Sequence, residues 1–263
     1  MNILIVGDVV SKLGRKALEE NLTLIKRDRK INFVIVNGEN ISHGKGMNVG
    51  HYKWLMEQGV NVVTLGNHTF NNNQIHQIID TPNIVRPYNY ANEETPGHGY
   101  CIINYNNIKI TVFQMMGTVF MNGEFKNPFV VTDKLLNSVE SDIYICDFHG
   151  EATSEKIAFG YHFDGRIQII FGTHTHVGTN DLRILPNGTA YITDIGMTGP
   201  LNGVIGTKKE IIINRFINNG GTEPFAPEDS GPTQFNAIIV TIDEKTKKVT
   251  NVERIERFEN GTK

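Results

Sequence analysis

Cysteine and tryptophan are nearly missing from this chain: two of the first and one of the second among 263 residues. So few thiols exclude a disulfide scaffold or a cysteine-rich zinc module. Cys101 and Cys146 sit inside apolar runs, GYCII and IYICDF, and read as buried free thiols suited to a reducing cytoplasm. No apolar run approaches the roughly 18 residues of a membrane span. MNILIVGDVV meets an Asp after four apolar residues with no basic segment before them, so it does not read as a secretory signal. Excess positive charge is missing too: 25 Lys and Arg against 28 Asp and Glu leave a net charge of −3, with a pI near 6.3. A duplex nucleic acid held mainly by charge is therefore not an expected partner. Hydrophobic residues at 39% and charged residues at 20% exclude a disordered or coiled-coil chain. At about 150 residues per domain, and without a clean linker or repeat, residues 1–263 read as a single domain.

Short apolar runs alternate with amphipathic stretches over the first third. Strands are expected at Ile3–Val6, Ile31–Val36, Val60–Leu65 and Ile84–Val85. Helices between them carry Leu18, Leu22 and Ile25, then Val49, Tyr52, Leu55 and Met56, then Ile75, Ile78 and Ile79. That order predicts parallel strands covered on both faces. The middle changes character. Tyr100–Tyr105 and Ile108–Met115 join at Asn106-Asn107 as a hairpin. Helices capped by Asp133 and Thr153 alternate with strands at Ile143–Cys146, Ile167–Phe171 and Ala190–Thr193. A helix at Lys209–Ile217 and a hairpin of Phe235–Ile242 with Val249–Phe258 close the chain. Two sheets fit this order.

The polar residues fall in one pattern. Five apolar runs each end in a metal-ligand residue type: ILIVGD at Asp8, FVIVNGEN at Glu39 and Asn40, VVTLGNH at Asn67 and His68, IYICDFH at His149, IIFGTHTH at His174 and His176. Parallel strands bring such ends to one rim, where open α/β sheets place their ligands. Gly7, Gly38, Gly66 and Gly172 precede these residues and permit sharp turning or close approach. Taken singly, an Asp or Asn after a strand is a turn former or cap. Five coincidences from one oxygen-and-imidazole set point to metal. The set lacks thiolate and suits manganese, iron, zinc, cobalt or nickel. Seven ligating side chains exceed one tetrahedral ion, so two ions sharing a carboxylate are expected. Paired ions supply an acidified water and stabilise both oxygens of an in-line displacement at phosphorus. His68, beside Asn67, is placed to protonate a leaving oxygen.

GDVV, NGENISHGKGM, TLGNHTF, DFHGEATSEK, GTHTHVGTND and AYITDIGMTGP together resemble the calcineurin-like metallophosphoesterase superfamily, and within it the YmdB-like phosphodiesterases, from Asp8 to about Gly206. The resemblance implies an α/β (α+β) four-layer αββα sandwich of two mixed sheets. It implies Asp8, Glu39, Asn40 and His176 as ligands of one ion, Glu39 (bridging), Asn67, His149 and His174 as ligands of the other, and His68 as the catalytic histidine. It implies hydrolysis of small 2′,3′- or 3′,5′-cyclic nucleotides, extending to short RNA ends, and admits a homo-oligomer. A phosphomonoesterase or nucleotidase of the same superfamily, or a slow-turnover nucleotide-binding regulator, is the alternative. This chain departs from the common pattern at Val10, where the superfamily has His, and at Glu39, where it has Asp. Within the branch, Phe70-Asn71 stands for Trp-Asp, and Asn202 for an acidic residue.

Other residues carry weaker expectations. His43, Lys45, Gly44 and Gly46 form a basic loop that fits either a phosphate contact or a surface turn. Thr173 and Thr175 read as strand-end packing, and Met115, Met116 and Met121 as core filler. Arg166 and Arg183 read as ion-pair partners or substrate contacts. His51, His76, His98 and His162 read as histidines without partners.

Overall fold

A computed structural model describes residues 1–259. In chain order the elements are β1 (Asn2–Val6), α1 (Ser11–Asp28), β2 (Phe33–Asn37), α2 (Val49–Glu57), β3 (Val62–Thr64), a short 3-10 helix (Asn73–Gln77), β4 (Ile84–Val85), β5 (Tyr100–Tyr105), β6 (Ile108–Met116), α3 (Pro128–Ser138), β7 (Ile143–His149), α4 (Thr153–His162), β8 (Ile169–Thr173), β9 (Arg183–Ile184), β10 (Ala190–Ile192), β11 (Gly199–Pro200), α5 (Lys209–Ile217), β12 (Thr233–Ile242) and β13 (Val249–Phe258).

The strands form two mixed sheets. One has the order β11-β12-β1-β2-β3-β4 with β13 on β12, and the other runs β5-β6-β7-β8-β10-β9. Strands β1 to β4 pair in parallel, as do β6, β7, β8 and β10. The first sheet is covered on both faces, as expected, but by different layers. Its Leu4, Val6, Val34 and Val36 meet α1 and α2, but its Ile3, Ile5, Phe33 and Ile35 meet Ile110, Ile143, Ile145, Ile169 and Phe171 of the second sheet. The second sheet's outer face packs Cys146, Phe148 and Ile170 against Leu135 and Phe159 of α3 and α4. The result is four layers, αββα. Period-two alternation separates the two faces of each strand, and both faces being apolar made the strands read as continuous runs.

Along the face between the sheets, each strand changes from apolar to polar as it nears one edge. β7 presents Ile143, Ile145, Asp147 and His149. β8 presents Ile169, Phe171 and Thr173, and β2 presents Phe33, Ile35 and Asn37. Register sets Asn37 opposite Thr64 and His149 opposite Thr173. This edge is where the carboxyl ends of the parallel strands of both sheets meet.

Local chemistry accounts for the remaining boundaries. Asn106 and Asn107 take φ of 49° and 62°, the left-handed pair that a two-residue hairpin turn requires. α3 starts earlier than Asp133 because Asn127 accepts from Phe129 and Val130 N–H, and Pro128 fits the first turn. Asp133 instead pairs with Arg166 at 2.7 Å. Thr153 is the first residue of α4, not its cap; Ala152 occupies the cap position without a side-chain bond. Two-residue strands β9 and β11 carried too little pattern to be read. No helix of the described residues is long and apolar enough to cross a membrane. Both cysteines are free and buried, and burial pushes the Cys101 thiol up to about 12.

Candidate metal centre

The polar edge gathers all seven expected ligand residues, three strands of the first sheet and two of the second contributing. Asp8 follows β1, Glu39 and Asn40 follow β2, and Asn67 follows β3. His149 ends β7, and His174 and His176 follow β8. Asp8, Glu39, Asn40 and His149 are almost wholly buried. Two overlapping groups form around Glu39.

In the first group, His149 Nε2 lies 3.2 Å from Glu39 Oε1, 2.9 Å from Asn67 Oδ1 and 3.1 Å from His174 Nδ1. Ligand atoms of Glu39, His149 and His174 all fall within 4.8 Å of one another. In the second group, His176 Nε2 lies 3.0 Å from Asn40 Nδ2 and 3.8 Å from Asp8 Oδ1. Asn40 Nδ2 also donates to Glu39 Oε1 at 3.2 Å. Asn40 thus faces the group with its amide nitrogen, and a half-turn of the amide brings its carbonyl oxygen to the same place. The two groups touch again where His174 N–H donates to Asp8 Oδ2 at 3.3 Å.

Three observations fit cations here. Asp8 Oδ1 is a buried carboxylate oxygen without any hydrogen-bond donor, a condition that a positive ion relieves. The ring nitrogens of His149 and His174 face each other at hydrogen-bond distance. The far nitrogens of the histidines are tied back. His149 Nδ1 bonds to Thr173 Oγ1 at 2.8 Å, and His176 Nδ1 donates to the Ile205 carbonyl at 2.8 Å. His174 Nε2 lies 3.4 Å from Glu151. Such outer partners fix ring orientation and aim the inner lone pair.

The electrostatics agree with dense acceptor packing. Burial raises the Asp8 carboxyl above its ordinary value. Burial would raise Glu39 too, but the charge and hydrogen bond of His149, with the neighbouring His68, outweigh it and hold Glu39 at about 2. Burial works against charge on His149, yet Glu39 overcomes it and lifts the imidazole to about 9. His174 drops to about 3 through burial and the adjacent His149.

Thr173 corrects its expectation. Its hydroxyl donates to Asp147 Oδ1 at 2.6 Å, so it accepts from His149 Nδ1–H and does more than pack. Asp147 Oδ2 accepts from Thr64 Oγ1 at 2.6 Å and Asn37 Nδ2 at 3.1 Å, both from the other sheet. This buried network pins the two edges together; burial raises the Asp147 carboxyl to about 6. The signal was present in the sequence, since Asp147 stands two positions before His149 and shares its face. Thr175 is likewise a bonded residue: its hydroxyl donates to Asp194 Oδ2 at 2.8 Å, which also accepts from the buried Lys156 Nζ at 2.8 Å. The sequence singled out neither Lys156 nor Asp194.

Gly66 is required by close approach, not by an unusual φ: a Cβ there would stand 2.4 Å from Glu39 Oε2 and 2.6 Å from His149 Nε2. His68 is half-buried, and its ring is outside both groups, with Nδ1 3.4 Å from Asn71 Oδ1. Its backbone N–H donates to Glu39 Oε2 at 3.0 Å. The basic loop with exposed His43 and Lys45 is built by Ser42 Oγ bonding to His51 Nδ1 at 2.6 Å, so His51 has a partner after all. His76 stacks on Phe70, His98 bonds to the Asp80 carbonyl, and His162 approaches Asp133 at 3.6 Å. Arg183 reaches Asp181 and the Tyr191 ring.

Residues 4–255 match the family model described as YmdB-like protein. The chain is 43% identical over 258 residues to the 2′,3′-cyclic-nucleotide 2′-phosphodiesterase of Bacillus subtilis strain 168, covering 97% of this chain and 96% of that protein. A crystal structure of a phosphatase from Mycoplasma pneumoniae superimposes with a TM-score of 0.93 at 40% identity, covering 98% of this chain and 94% of the other. A structure described only as a hypothetical protein of Thermus thermophilus gives 0.92 at 36% identity, covering 98% and 100%.

Proposed function

This chain belongs to the YmdB-like family, and from that membership we propose that it is a metal-dependent phosphoric diester hydrolase acting on small cyclic nucleotides, 2′,3′-cyclic ones first. The observation that carries the reading is the meeting of His149 Nε2, His174 Nδ1 and Asn67 Oδ1 around Glu39, beside the orphaned Asp8 Oδ1. In this reading Asp8, Glu39, Asn40 and His176 hold one ion, and Glu39, Asn67, His149 and His174 hold a second, manganese or iron. Two such ions supply Lewis acidity that neutralises a phosphodiester and acidifies water near neutral pH.

The chain's own residues do the rest. Thr173, Ile205 and Glu151 keep three imidazoles turned inward, with Asp147 behind Thr173. His68 lies outside the ligand groups and remains half-exposed, so its ring is free to give a proton to the departing ribose oxygen. Buried, dry surroundings on the Asp8 and Glu39 side strengthen each interaction with a charged phosphate. Buried thiols that never pair fit a reducing compartment, the cytoplasm.

The test is hydrolysis of 2′,3′-cyclic AMP with added manganese and after chelation. Chelation, Asp8→Ala and His174→Ala should each lower the rate by at least the roughly 10–100-fold that loss of an outer partner alone costs in metal sites. Full activity in both variants would end this assignment. The Mycoplasma pneumoniae relative is described as a phosphatase, which favours a second reading as a phosphomonoesterase. Initial rates on adenosine 3′-monophosphate and on the cyclic diester separate the two.

A further inference from the structure

Phe120 is the exposed aromatic whose place in the fold is hardest to explain by packing. It is 85% exposed and adopts φ of 60°, a left-handed conformation that is an outlier for a bulky side chain. Such a residue persists only where its surroundings over-determine it, and observed strain of this kind clusters at ligand sites. The surroundings here are specific. Glu155, on α4 and nearly buried, accepts from Thr118 N–H at 2.9 Å, Thr118 Oγ1 at 2.9 Å and Val119 N–H at 3.2 Å. The root of the loop is thereby fixed just before the strained residue.

That root stands against the candidate metal centre. Gly117 N–H donates to the carbonyl of His149 at 2.9 Å. A Cβ on Gly117 would meet Glu155 Oε2 at 2.6 Å and Gly150 Cα at 3.3 Å. Three residues span at most about 10 Å, so the Phe120 backbone stays within that distance of Gly117. Other exposed aromatics stand elsewhere: Phe216 on α5, Tyr161 on α4 and Phe258 on β13, while Phe225 has its ring covered by Arg215 at 3.9 Å. Among the exposed aromatics of the described residues, Phe120 alone combines high exposure with a root on a strand end that bonds a candidate ligand.

Resting on the reading of the site as a nucleotide phosphodiesterase, we propose that Phe120 is its base-binding residue, a stacking platform for the nucleobase of a substrate whose phosphate occupies the metal centre. Every base has a π-face, so a platform of this sort binds nucleotides while tolerating different bases. Phe120 acts on the base and leaves the reacting atoms to Asp8, Glu39 and the histidines. The Glu155 clasp fixes the backbone just before Phe120 ahead of substrate, which lowers the ordering cost of binding.

The test compares wild type, Phe120→Ala and Phe120→Trp with manganese on 2′,3′-cyclic AMP and on ethylene phosphate, a cyclic diester without a base. Phe120→Ala should raise KM for 2′,3′-cyclic AMP about tenfold, the size of one base–aromatic stack, leave kcat within about twofold, and leave ethylene phosphate unchanged. Phe120→Trp should restore the KM. Calorimetry with adenosine 3′-monophosphate and with inorganic phosphate supplies a reading independent of turnover: only the nucleotide should lose affinity in Phe120→Ala. Equal losses on both ligands, no loss on either, or a change of mass by light scattering in place of a KM change would overturn the assignment; the last would make Phe120 a contact between copies of this chain. If wild type hydrolyses neither diester, the phosphodiesterase reading fails, while the calorimetric pair still decides the role of Phe120.

Discussion

Replacing Thr173 with valine removes one hydroxyl while keeping the shape of the side chain. That hydroxyl accepts from His149 Nδ1 at 2.8 Å and donates to Asp147 Oδ1 at 2.6 Å. Valine leaves the buried imidazole N–H and one carboxylate oxygen unpaired, and each unsatisfied group costs about 1–3 kcal/mol. Asp147 keeps Thr64 and Asn37 on its other oxygen, so the sheets stay joined. A loss of about 2–6 kcal/mol is expected from these pieces. At roughly 2–4 °C per kcal/mol for a chain of this size, the metal-free melting temperature should fall by about 4–24 °C. The second effect is separate. With its far nitrogen unpaired, the His149 ring loses the contact that orients it, and loss of such an outer partner weakens metal affinity about 10–100-fold. Manganese titration by calorimetry and calorimetric melting of the metal-free protein read the two effects apart. Thr173→Ser, which keeps the hydroxyl, should restore the affinity. If Thr173→Val lowers the melting temperature yet binds manganese as tightly as wild type, the hydroxyl has no hold on the ligand and the reasoning is wrong.

Gly66→Ala should stop turnover by crowding: the new Cβ must retreat about 1 Å from Glu39 Oε2, starting from 2.4 Å, and displacements near 1 Å cost about 100-fold in rate. A rate within twofold of wild type, measured on 2′,3′-cyclic AMP, would refute it. Lys156→Met removes the cation from a buried pair at 2.8 Å and leaves Asp194 without it, so urea unfolding should show a loss of about 3–5 kcal/mol; a neutral result would mean Asp194 is satisfied by Thr175 and Gly196 alone. Stability of the metal-free protein should depend on pH from both sides. Glu39, held at about 2 against an ordinary 4.5, contributes stability present above 4.5 and lost as pH falls toward 2. His149, raised from 6.5 to about 9, contributes stability present below 6.5 and lost as pH rises through 9. The melting temperature should therefore be highest between these arms, and Glu39→Gln should flatten both; an unchanged alkaline decline in that variant refutes the pairing.

Much of the candidate site was readable because a metal-binding set calls for unusual residue types at strand ends. Asp8, Glu39, Asn40, Asn67, His149, His174 and His176 announce themselves by interrupting apolar runs, and the structure brings all seven to one edge. Residues that support them were harder to see. Thr173 and Thr64 are ordinary strand residues whose importance comes from facing Asp147 across the space between two sheets. Ile205 acts through its backbone carbonyl, for which no side chain gives a signal. Phe120 gained meaning only from its exposure and its φ.

Element order was set by local chemistry that a sequence displays: alternating apolar runs, the Asn106-Asn107 turn, and glycines before the strand-end ligands. Those follow from side-chain volume and backbone sterics over a few residues. How the strands divide between two sheets, and hence that Asn37 and Thr64 reach Asp147 and Thr173, was decided by tertiary packing. An apolar strand face fits a helix or another sheet equally well, so only the assembled molecule settles which surface covers it.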